Sequence, residues 1–379
     1  MEPLIRLSTF ALTGKIYLVS RTDVSGRALP ASKPHSGKPK MDEKRRGGPC
    51  RFCDARRRQL CGSDCAVPDS NTHTNRKHED RLRLEEIPVP AESGAEVPPG
   101  VEERYTALDG GRMRYLEAGS GLPLILLHGL LGYSFSFRLN LAALAQERRV
   151  LALDQLGVGF SDRPEALECS MRAVAARTLA FIDQQAPETF DLLGTSHGGA
   201  IALWVAALLA ERGDRRLQRL ILVAPANPWS PHGRILAPFV AQRPVSAALR
   251  STLPMASFAW GFFIRRMYGN PERMPPGTVE GYSAALSRER SWEYGLSVLD
   301  TWLEDLEELK LLLPRLADLP TLIIWGEADP AVYPESAEPL REYFRNHEYV
   351  SLPGVGHLPY EESPAEFNRA VSEFLRKPI

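Results

Sequence analysis

The chain has 379 residues, 44% hydrophobic and 25% charged, a composition ordinary for a soluble globular protein with one large domain and an additional module. Its formal net charge of −1 hides an asymmetry, because residues 1–78 carry 16 Lys and Arg against 7 Asp and Glu, whereas the remainder carry 30 against 40. Only one of the five cysteines lies outside the basic segment, and no apolar run reaches the ~18 residues that a membrane span requires. A disulfide-stapled secreted domain and a stable membrane span are therefore disfavoured, and we expect a cytoplasmic protein.

Residues 1–82 show no sustained period of 2 or 3.6 and are rich in Arg, Lys, Ser, Pro and Gly. This composition predicts a disordered basic extension, and with the Pro-rich linker that follows it the extension occupies residues 1–100. Its charge favours anionic partners, but too few aromatic residues are present for base stacking, so we expect no nucleic-acid binding. An upstream extension that arises from a misassigned start codon is the alternative interpretation.

Four cysteines of the extension, Cys50, Cys53, Cys61 and Cys65, could form a zinc site. The first pair has ligand spacing, and four thiolates can complete a tetrahedral site. The second interval is short for a zinc finger or ribbon, so we predict no metal site. A zinc-dependent regulatory protein remains the alternative that these cysteines leave open.

From residue 101 onwards, short apolar runs alternate with longer helical patterns. The first two runs, joined by the DGG sequence at 109–111, predict an antiparallel hairpin, and the later continuous runs are typical of parallel strands covered on both faces. The alternation predicts an α/β fold with a doubly wound, mostly parallel sheet. Predicted strands are 104–108, 112–118, 123–128, 149–154, 190–194, 219–224, 321–326 and 349–353; predicted helices include 171–185, 197–211 and 363–376.

The strand–helix rhythm is interrupted between residues 228 and 312 by a segment of helical propensity that is rich in aromatic residues. Its position predicts a helical cap over the carboxyl ends of the strands, where open α/β sheets bind ligands. We therefore expect a core in two parts, 101–227 and 313–379, with the cap inserted between them.

The stretch GTSHG at residues 194–198 lies between a predicted strand and a predicted helix, which is the setting of a nucleophile elbow. The sharp turn would expose the hydroxyl of Ser196 at the sheet edge, and the flanking glycines would allow strand and helix to approach closely. Ser196 is therefore the candidate nucleophile, and the backbone N–H of His197 is a candidate oxyanion donor. A helix N-cap serine beside a tight turn is the alternative.

A serine nucleophile needs a base and an acid that orients the base, in the chain order Ser, acid, His. Asp329 and His357 each follow a predicted strand, so both reach the same sheet edge as Ser196. His357 would take the serine proton, and Asp329 would orient the imidazole. Glu327 is a rival acid, but it lies closer to the strand end, and we expect it to face solvent.

Two glycine-containing loops complete the predicted site. The loop HGLLG at residues 128–132 follows a strand, and the N–H of Leu130 is the candidate second oxyanion donor. The stretch DQLGVGFSDRP at 154–164 lacks both the Lys-Ser/Thr of a P-loop and the Gly-x-Gly-x-x-Gly spacing, so we expect no nucleotide binding.

These motifs, with WGEADP and GVGHLPYEESPAEFNRAVSEFL, occur in the order typical of the α/β-hydrolase superfamily, and residues 101–379 resemble that family. The resemblance implies a helical cap, no cofactor, and hydrolysis of esters or related acyl compounds. Serine at the elbow, instead of aspartate, argues against the epoxide hydrolase and haloalkane dehalogenase branches. The C-terminal motif looks like that of carboxylesterases, monoacylglycerol lipases and hydrolases of meta-cleavage products.

The sequence thus predicts a serine hydrolase that cleaves a small apolar ester or related carbonyl substrate through an acyl-enzyme. A carbon–carbon bond hydrolase acting on a vinylogous diketone would use the same three residues, so this alternative stays open. A non-catalytic protein of the same fold that binds a small ligand or a partner is the third possibility. The sequence leaves the oligomeric state open.

Overall fold

The computed structural model describes residues 97–252 and 260–378. The predicted basic extension up to residue 96, including its four cysteines, lies outside the described residues. Within the described part of the chain, eight strands form one sheet in the order β1-β2-β4-β3-β5-β6-β7-β8. The strands are β1 Glu102–Leu108, β2 Gly111–Ala118, β3 Pro123–Leu127, β4 Arg149–Leu153, β5 Phe190–Thr195, β6 Leu217–Val223, β7 Thr321–Gly326 and β8 His347–Leu352.

Helices flank this sheet, and the predicted bounds of α2 (Met171–Gln185) and α3 (His197–Glu211) agree with the structure to the residue. Helix α2 begins after Ser170, whose side chain accepts a hydrogen bond from the N–H of Ala173 at 3.2 Å and so caps the first turn. The helices are α1 Leu141–Leu144, α2 Met171–Gln185, α3 His197–Glu211, α4 Pro231–Val240, α5 Arg243–Thr252, α6 Trp260–Arg266, α7 Thr278–Leu286, α8 Ser291–Asp300, α9 Trp302–Leu312, α10 Ala337–Arg341, α11 Pro359–Glu362 and α12 Pro364–Arg376.

The sheet is parallel from β4 to β8 and antiparallel at its other edge. The predicted hairpin of β1 and β2 is confirmed, and β2 also pairs antiparallel with β4. Because the parallel strands point the same way, the loops after β3, β4, β5, β7 and β8 all emerge at one edge of the sheet.

Both faces of the sheet are covered by apolar side chains, as the continuous apolar runs predict. In β3, Leu124 and Leu126 pack in the cluster that contains Phe367 and Val371 of α12. The alternate residues of β3 face the opposite cluster, which includes side chains of α2 and α3. The core is therefore two layers of helix around one central sheet.

Helices α4–α9 lie between β6 and β7, and we call residues 228–312 the helical insertion. The insertion packs on the loop that follows β3: a Cβ at Gly281 of α7 would lie 2.0 Å from the ring of Phe135, and one at Gly295 of α8 would lie 2.5 Å from Leu131. In the described residues, no helix is both long and apolar enough to cross a membrane.

A buried ion cluster joins the antiparallel hairpin of β1 and β2 to the loops that follow β3 and β4. Arg114 of β2, with a side chain only 1% exposed, lies with Nη1 3.0 Å from Asp154 Oδ2, and its Nε donates to Glu103. Asp154 also accepts the backbone N–H groups of Ser134 and Phe160, each at 2.8 Å. Burial works against the guanidinium charge, but Asp154 and Glu103 outweigh it and raise the pKa of Arg114 above its ordinary value.

Arg114→Met is expected to lower the free energy of unfolding by about 3–5 kcal/mol at pH 7, because it leaves Asp154 and Glu103 buried without their cation. Urea unfolding followed by tryptophan fluorescence measures the loss. Arg112→Met is the matched control on the same strand, since its ion pair with Asp162 spans 3.6 Å and its side chain is 52% exposed. The control should change stability by less than about 0.5 kcal/mol, and equal losses in the two variants would contradict the prediction.

Candidate active site

Ser196 occupies the sharp turn between β5 and α3 with φ 53° and ψ −122°, a conformation in which a non-glycine residue is strained. The turn is held by the backbone: the N–H of Ser196 donates to the carbonyl of Val223 at 2.9 Å, and its carbonyl accepts the N–H of Ala226 at 2.8 Å. The hydroxyl does not bond to the first-turn amides of α3. Ser196 therefore does not act as a side-chain N-cap.

The two glycines of the elbow are required because backbones approach closely on both sides of Ser196. A Cβ at Gly194 would lie 2.2 Å from the carbonyl oxygen of Gly198, and a Cβ at Gly198 would lie 2.3 Å from that of His128. Real Cβ atoms do not tolerate such distances to backbone, so strand, turn and helix can pack this tightly only with glycine.

His357 and Asp329 are joined by a hydrogen bond of 2.7 Å between His357 Nδ1 and Asp329 Oδ2, and both residues are buried. The second carboxylate oxygen, Oδ1, accepts the N–H groups of Ala331 at 2.8 Å and Val332 at 2.9 Å. All these contacts hold the Asp329 carboxylate in one orientation. His357 Nε2 is the ring nitrogen that does not bond to Asp329. The exposed Glu327 instead accepts a hydrogen bond from Ser351 at 3.0 Å.

The loop at residues 128–132 lies directly against the nucleophile position. A Cβ at Gly129 would be 3.2 Å from the Cβ of Ser196. The N–H of His197 is the first of α3 and has no intrahelical acceptor, and within residues 97–252 and 260–378 neither it nor the N–H of Leu130 donates to a protein acceptor. Both backbone donors are thus unbonded in the described residues, and the loop that carries Leu130 contacts Ser196 through Gly129.

Two further histidines lie near Ser196, and both are neutral. His128 Nδ1 donates to the carbonyl of Gly129 at 2.8 Å, while its Nε2 accepts the N–H of Gln155 at 3.1 Å, and burial lowers its pKa. His197 stacks on Trp302 with ring centroids 5.7 Å apart, and burial, with a smaller contribution from His128, lowers its pKa to about 3. His128 therefore joins the loops after β3 and β4, whereas His197 packs against the helical insertion, and the lowered pKa values keep both imidazoles uncharged at neutral pH.

Two contacts of the loop that carries His357 were not predicted from the sequence. The backbone N–H of His357 donates to the carbonyl of Met267 in the helical insertion at 2.7 Å. The neighbouring N–H of Gly356 donates to the carboxylate of Glu362 at 2.7 Å. Glu362 lies in the C-terminal motif that carries the family resemblance, but no spacing pattern connects it with the insertion.

A cavity of about 690 Å³ opens beside Asp329, between the start of α4 and the loop after β7. Neither Ser196 nor His357 contributes to its wall, so it is separate from the nucleophile position. Its lining residues are Trp229, Pro231, Glu327, Ala328, Asp329, Tyr333, Pro334, Glu335 and Ser336.

Neither a cluster of metal ligands nor a reactive thiol occurs in the part of the chain that the structure describes. No three His, Cys, Asp or Glu side chains there are grouped as metal ligands. Cys169 is a buried free thiol whose pKa is raised to about 11 by burial, so it is protonated and unreactive at neutral pH.

Comparison with known proteins identifies the family. The family model described as alpha/beta hydrolase fold matches residues 123–364, a span that includes Ser196, Asp329 and His357. The chain belongs to the α/β-hydrolase family, in agreement with the sheet order and the resemblance of the motifs.

The relatives carry names of different hydrolytic reactions. Haloalkane dehalogenase 2 from Mycobacterium bovis is 28% identical over 279 residues, which cover 72% of this chain and 94% of that protein. The 2-hydroxymuconate semialdehyde hydrolase from Pseudomonas sp. (strain CF600) is 27% identical over 278 residues, 70% of this chain and 91% of that protein. The crystal structure of Cfl2 from Burkholderia cenocepacia superposes with a TM-score of 0.64 at 25% identity, covering 74% of this chain and 99% of that one.

Ser196→Gly is expected to be about 1 kcal/mol more stable than Ser196→Ala, because glycine adopts the φ and ψ of this turn without a Cβ clash. Urea unfolding of the two variants measures the difference. Ala180→Gly, at an exposed position of α2, is the control and should lose about 1 kcal/mol, since a helix interior favours alanine. If the alanine variant at 196 were the more stable one, the turn would not be strained.

His197 makes stability depend on pH. Its pKa is about 3 in the folded protein and about 6.5 unfolded, so below pH 6.5 only the unfolded chain takes the proton, and stability falls as pH drops towards 3. The expected loss from this residue between pH 6.5 and pH 5 is about 1.7 kcal/mol. His197→Phe keeps a ring against Trp302 and should flatten that pH dependence in urea unfolding; an unchanged slope would contradict the buried neutral imidazole.

Proposed function

We propose that the protein is a serine hydrolase that cleaves apolar carboxylic esters through an acyl-enzyme. The observation that carries the proposal is the 2.7 Å hydrogen bond between His357 and Asp329 at the sheet edge where the strained turn presents Ser196. A buried aspartate bonded to the Nδ1 of an imidazole is the arrangement that makes a histidine an effective base for serine.

Each proposed catalytic group has a distinct role. Ser196 attacks the ester carbonyl while His357 Nε2 takes its proton, and Asp329 stabilises the imidazolium through Nδ1. The backbone N–H groups of Leu130 and His197 stabilise the negative charge that develops on the carbonyl oxygen. His357 then protonates the leaving alkoxide, and water attacks the acyl-enzyme by the same route in reverse.

We propose that the helical insertion is the cap, and its side chains favour an apolar substrate. Its helix α8 packs against Leu131, next to one proposed oxyanion donor, and Trp302 of α9 covers the ring of His197 beside the other. The surroundings of the proposed oxyanion site are therefore aromatic and aliphatic, which favours apolar acyl or alcohol groups and strengthens hydrogen bonds to the oxyanion.

Similarity to haloalkane dehalogenase 2 does not carry that activity to this chain. Displacement of a halide by a carboxylate gives an alkyl ester on the enzyme, which water can hydrolyse. The same displacement by the hydroxyl of Ser196 would give an ether, which the triad could not hydrolyse. Serine is instead suited to attack at a carbonyl carbon, where a tetrahedral intermediate can collapse.

A carbon–carbon bond hydrolase is the second candidate, supported by the similarity to 2-hydroxymuconate semialdehyde hydrolase. The same serine, histidine and aspartate could attack the ketone of a vinylogous diketone, so the residues of the triad do not separate the two reactions. The substrate that the purified protein turns over faster decides between them.

The test is turnover of p-nitrophenyl esters of short and medium chain length and of a ring-cleavage dienone, together with labelling by a fluorophosphonate. We expect medium-chain esters to be the best substrates and Ser196→Ala to lose labelling and at least 10³-fold of kcat/KM. Ser351→Ala, which removes an exposed hydroxyl bound to Glu327, is the control and should keep both. Faster turnover of the dienone would favour the second candidate. The absence of both labelling and turnover would indicate a non-catalytic binding protein.

A further inference from the structure

The proposed base is carried by a short loop that packs on the core through Val355 and is otherwise held by neighbouring segments. Residues 353–357, which we call the His357 loop, contain two glycines, and Gly354 has φ 65°. Towards the sheet, the loop is held by a hydrogen bond of 2.9 Å from the N–H of Ala328 to the carbonyl of Val355. Because glycine restricts the backbone least, the remaining restraint on the loop must come from its neighbours.

The carboxylate of Glu362 joins the His357 loop to the helical insertion. Its side chain is fully buried, and Oε2 accepts the N–H of Gly356 at 2.7 Å and that of Gly269 at 2.9 Å. Oε1 accepts the N–H of Asn270 at 2.8 Å. Two of the three donors belong to residues 267–270, which follow α6 in the insertion. Charge-assisted hydrogen bonds of this kind are strong and short, so they fix both backbones at once.

The two segments are also in direct contact. The N–H of His357 donates to the carbonyl of Met267 at 2.7 Å, and a Cβ at Gly356 would lie 2.2 Å from that carbonyl oxygen. A Cβ at Gly269 would lie 2.5 Å from the carbonyl oxygen of Gly354. The insertion therefore forms one wall of the loop that carries the imidazole.

We propose that Glu362 is a positioning residue that locks the His357 loop to residues 267–270, so that the imidazole is held for catalysis only while this part of the insertion is seated. Arg273 supplies little of the binding, because its guanidinium is 3.8 Å from Oε1 and its side chain is 47% exposed. The backbone N–H groups are thus the main partners of the carboxylate. The proposal rests on the role of His357 in the proposed function.

Glutamine at position 362 preserves the shape of the side chain but not its three acceptor contacts. A carboxylate offers acceptors on both oxygens, whereas an amide offers one oxygen and an NH₂ donor. In Glu362→Gln, at least one of the N–H groups of Gly356, Gly269 and Asn270 would face that NH₂. The lock should loosen without a large change in volume.

Glu361 provides a matched control because it is equally buried but has different partners. Its carboxylate accepts hydrogen bonds from the hydroxyls of Tyr268, at 2.6 Å, and Tyr282, and it pairs with Arg138 at 3.0 Å. All three partners use side chains, and none belongs to the His357 loop. Although Tyr268 lies within residues 267–270, Glu361→Gln alters only contacts made by side chains and keeps the three N–H bonds to Glu362, so it separates the backbone lock from the side-chain contacts of the same segment.

The kinetic test compares two esters of one medium-chain acid, a p-nitrophenyl ester and an ethyl ester. The alkoxide leaving group needs a proton from His357, whereas p-nitrophenolate leaves unprotonated, so displacement of the imidazole lowers kcat/KM more for the ethyl ester. In Glu362→Gln the ratio of ethyl to p-nitrophenyl kcat/KM should fall about tenfold, and in Glu361→Gln it should stay within about twofold. This ratio does not depend on the fraction of folded enzyme.

Hydrogen exchange of the same variants tests the lock without reference to any reaction. Glu362→Gln should speed amide exchange about tenfold in peptides covering 267–271 and 354–358, and Glu361→Gln should leave the second peptide unchanged. If the wild-type protein hydrolyses no ester, the proposed function fails while exchange still tests the lock. If the wild-type protein is active and Glu362→Gln keeps either the wild-type ratio or wild-type exchange, the positioning role is overturned.

Glu362→Asp covers the case in which the glutamine variant does not fold. Aspartate keeps the charge but withdraws both oxygens by one methylene, which is too far to hold three N–H groups at hydrogen-bond distance. In Glu362→Asp the kinetic ratio should fall and amide exchange should speed up in the same peptides, each by less than in Glu362→Gln. Wild-type values of both in a folded Glu362→Asp protein would overturn the proposal.

Discussion

The hydrogen bond between His357 and Asp329 depends on two neighbouring parallel strands that end at one edge of the sheet. The Asp329 carboxylate is oriented by two amides of its own turn, so the turn after β7 determines the direction in which the imidazole is held. The elbow after β5 and the loop after β3 reach the same edge because their strands run parallel to β7 and β8. Everything proposed about the chemistry requires this common direction of the strands.

Buried charges hold the loops of this edge together. Arg114 and Asp154 tie the loops after β3 and β4 to the hairpin, and Glu362 ties the loop after β8 to the helical insertion. In each case a buried charge is compensated by several hydrogen bonds, which is the condition under which burial of a charge is tolerated. Such contacts have one good geometry, so they restrict loops that apolar packing alone would hold less well.

The relatives show why membership of the family determines the fold more closely than it determines the reaction. Proteins with about the same degree of similarity to this chain are named for dehalogenation and for semialdehyde hydrolysis. At an elbow position, a hydroxyl and a carboxylate nucleophile form different covalent intermediates. In the proposed function, Ser196 restricts the reaction more than overall identity does, and we propose that the helical insertion selects the substrate.

Much of the fold was predictable because strands and helices are encoded by local periodicity. The bounds of β7, α2 and α3 agree with the apolar patterns, and the spacing of glycines around Ser196 predicted the sharp turn. The sequence also brought Asp329 and His357 forward as candidates, through their places after strands.

Only the tertiary structure decided which of these groups meet. It showed that β2 pairs with β4, that Asp329 and not Glu327 bonds to His357, and that Glu362 reaches across to the insertion. None of these contacts has a local pattern, because each joins chain segments that only the folding of the whole sheet brings together. Periodicity along the chain specifies which face a residue takes, whereas its partner depends on the order in which distant strands and loops are arranged.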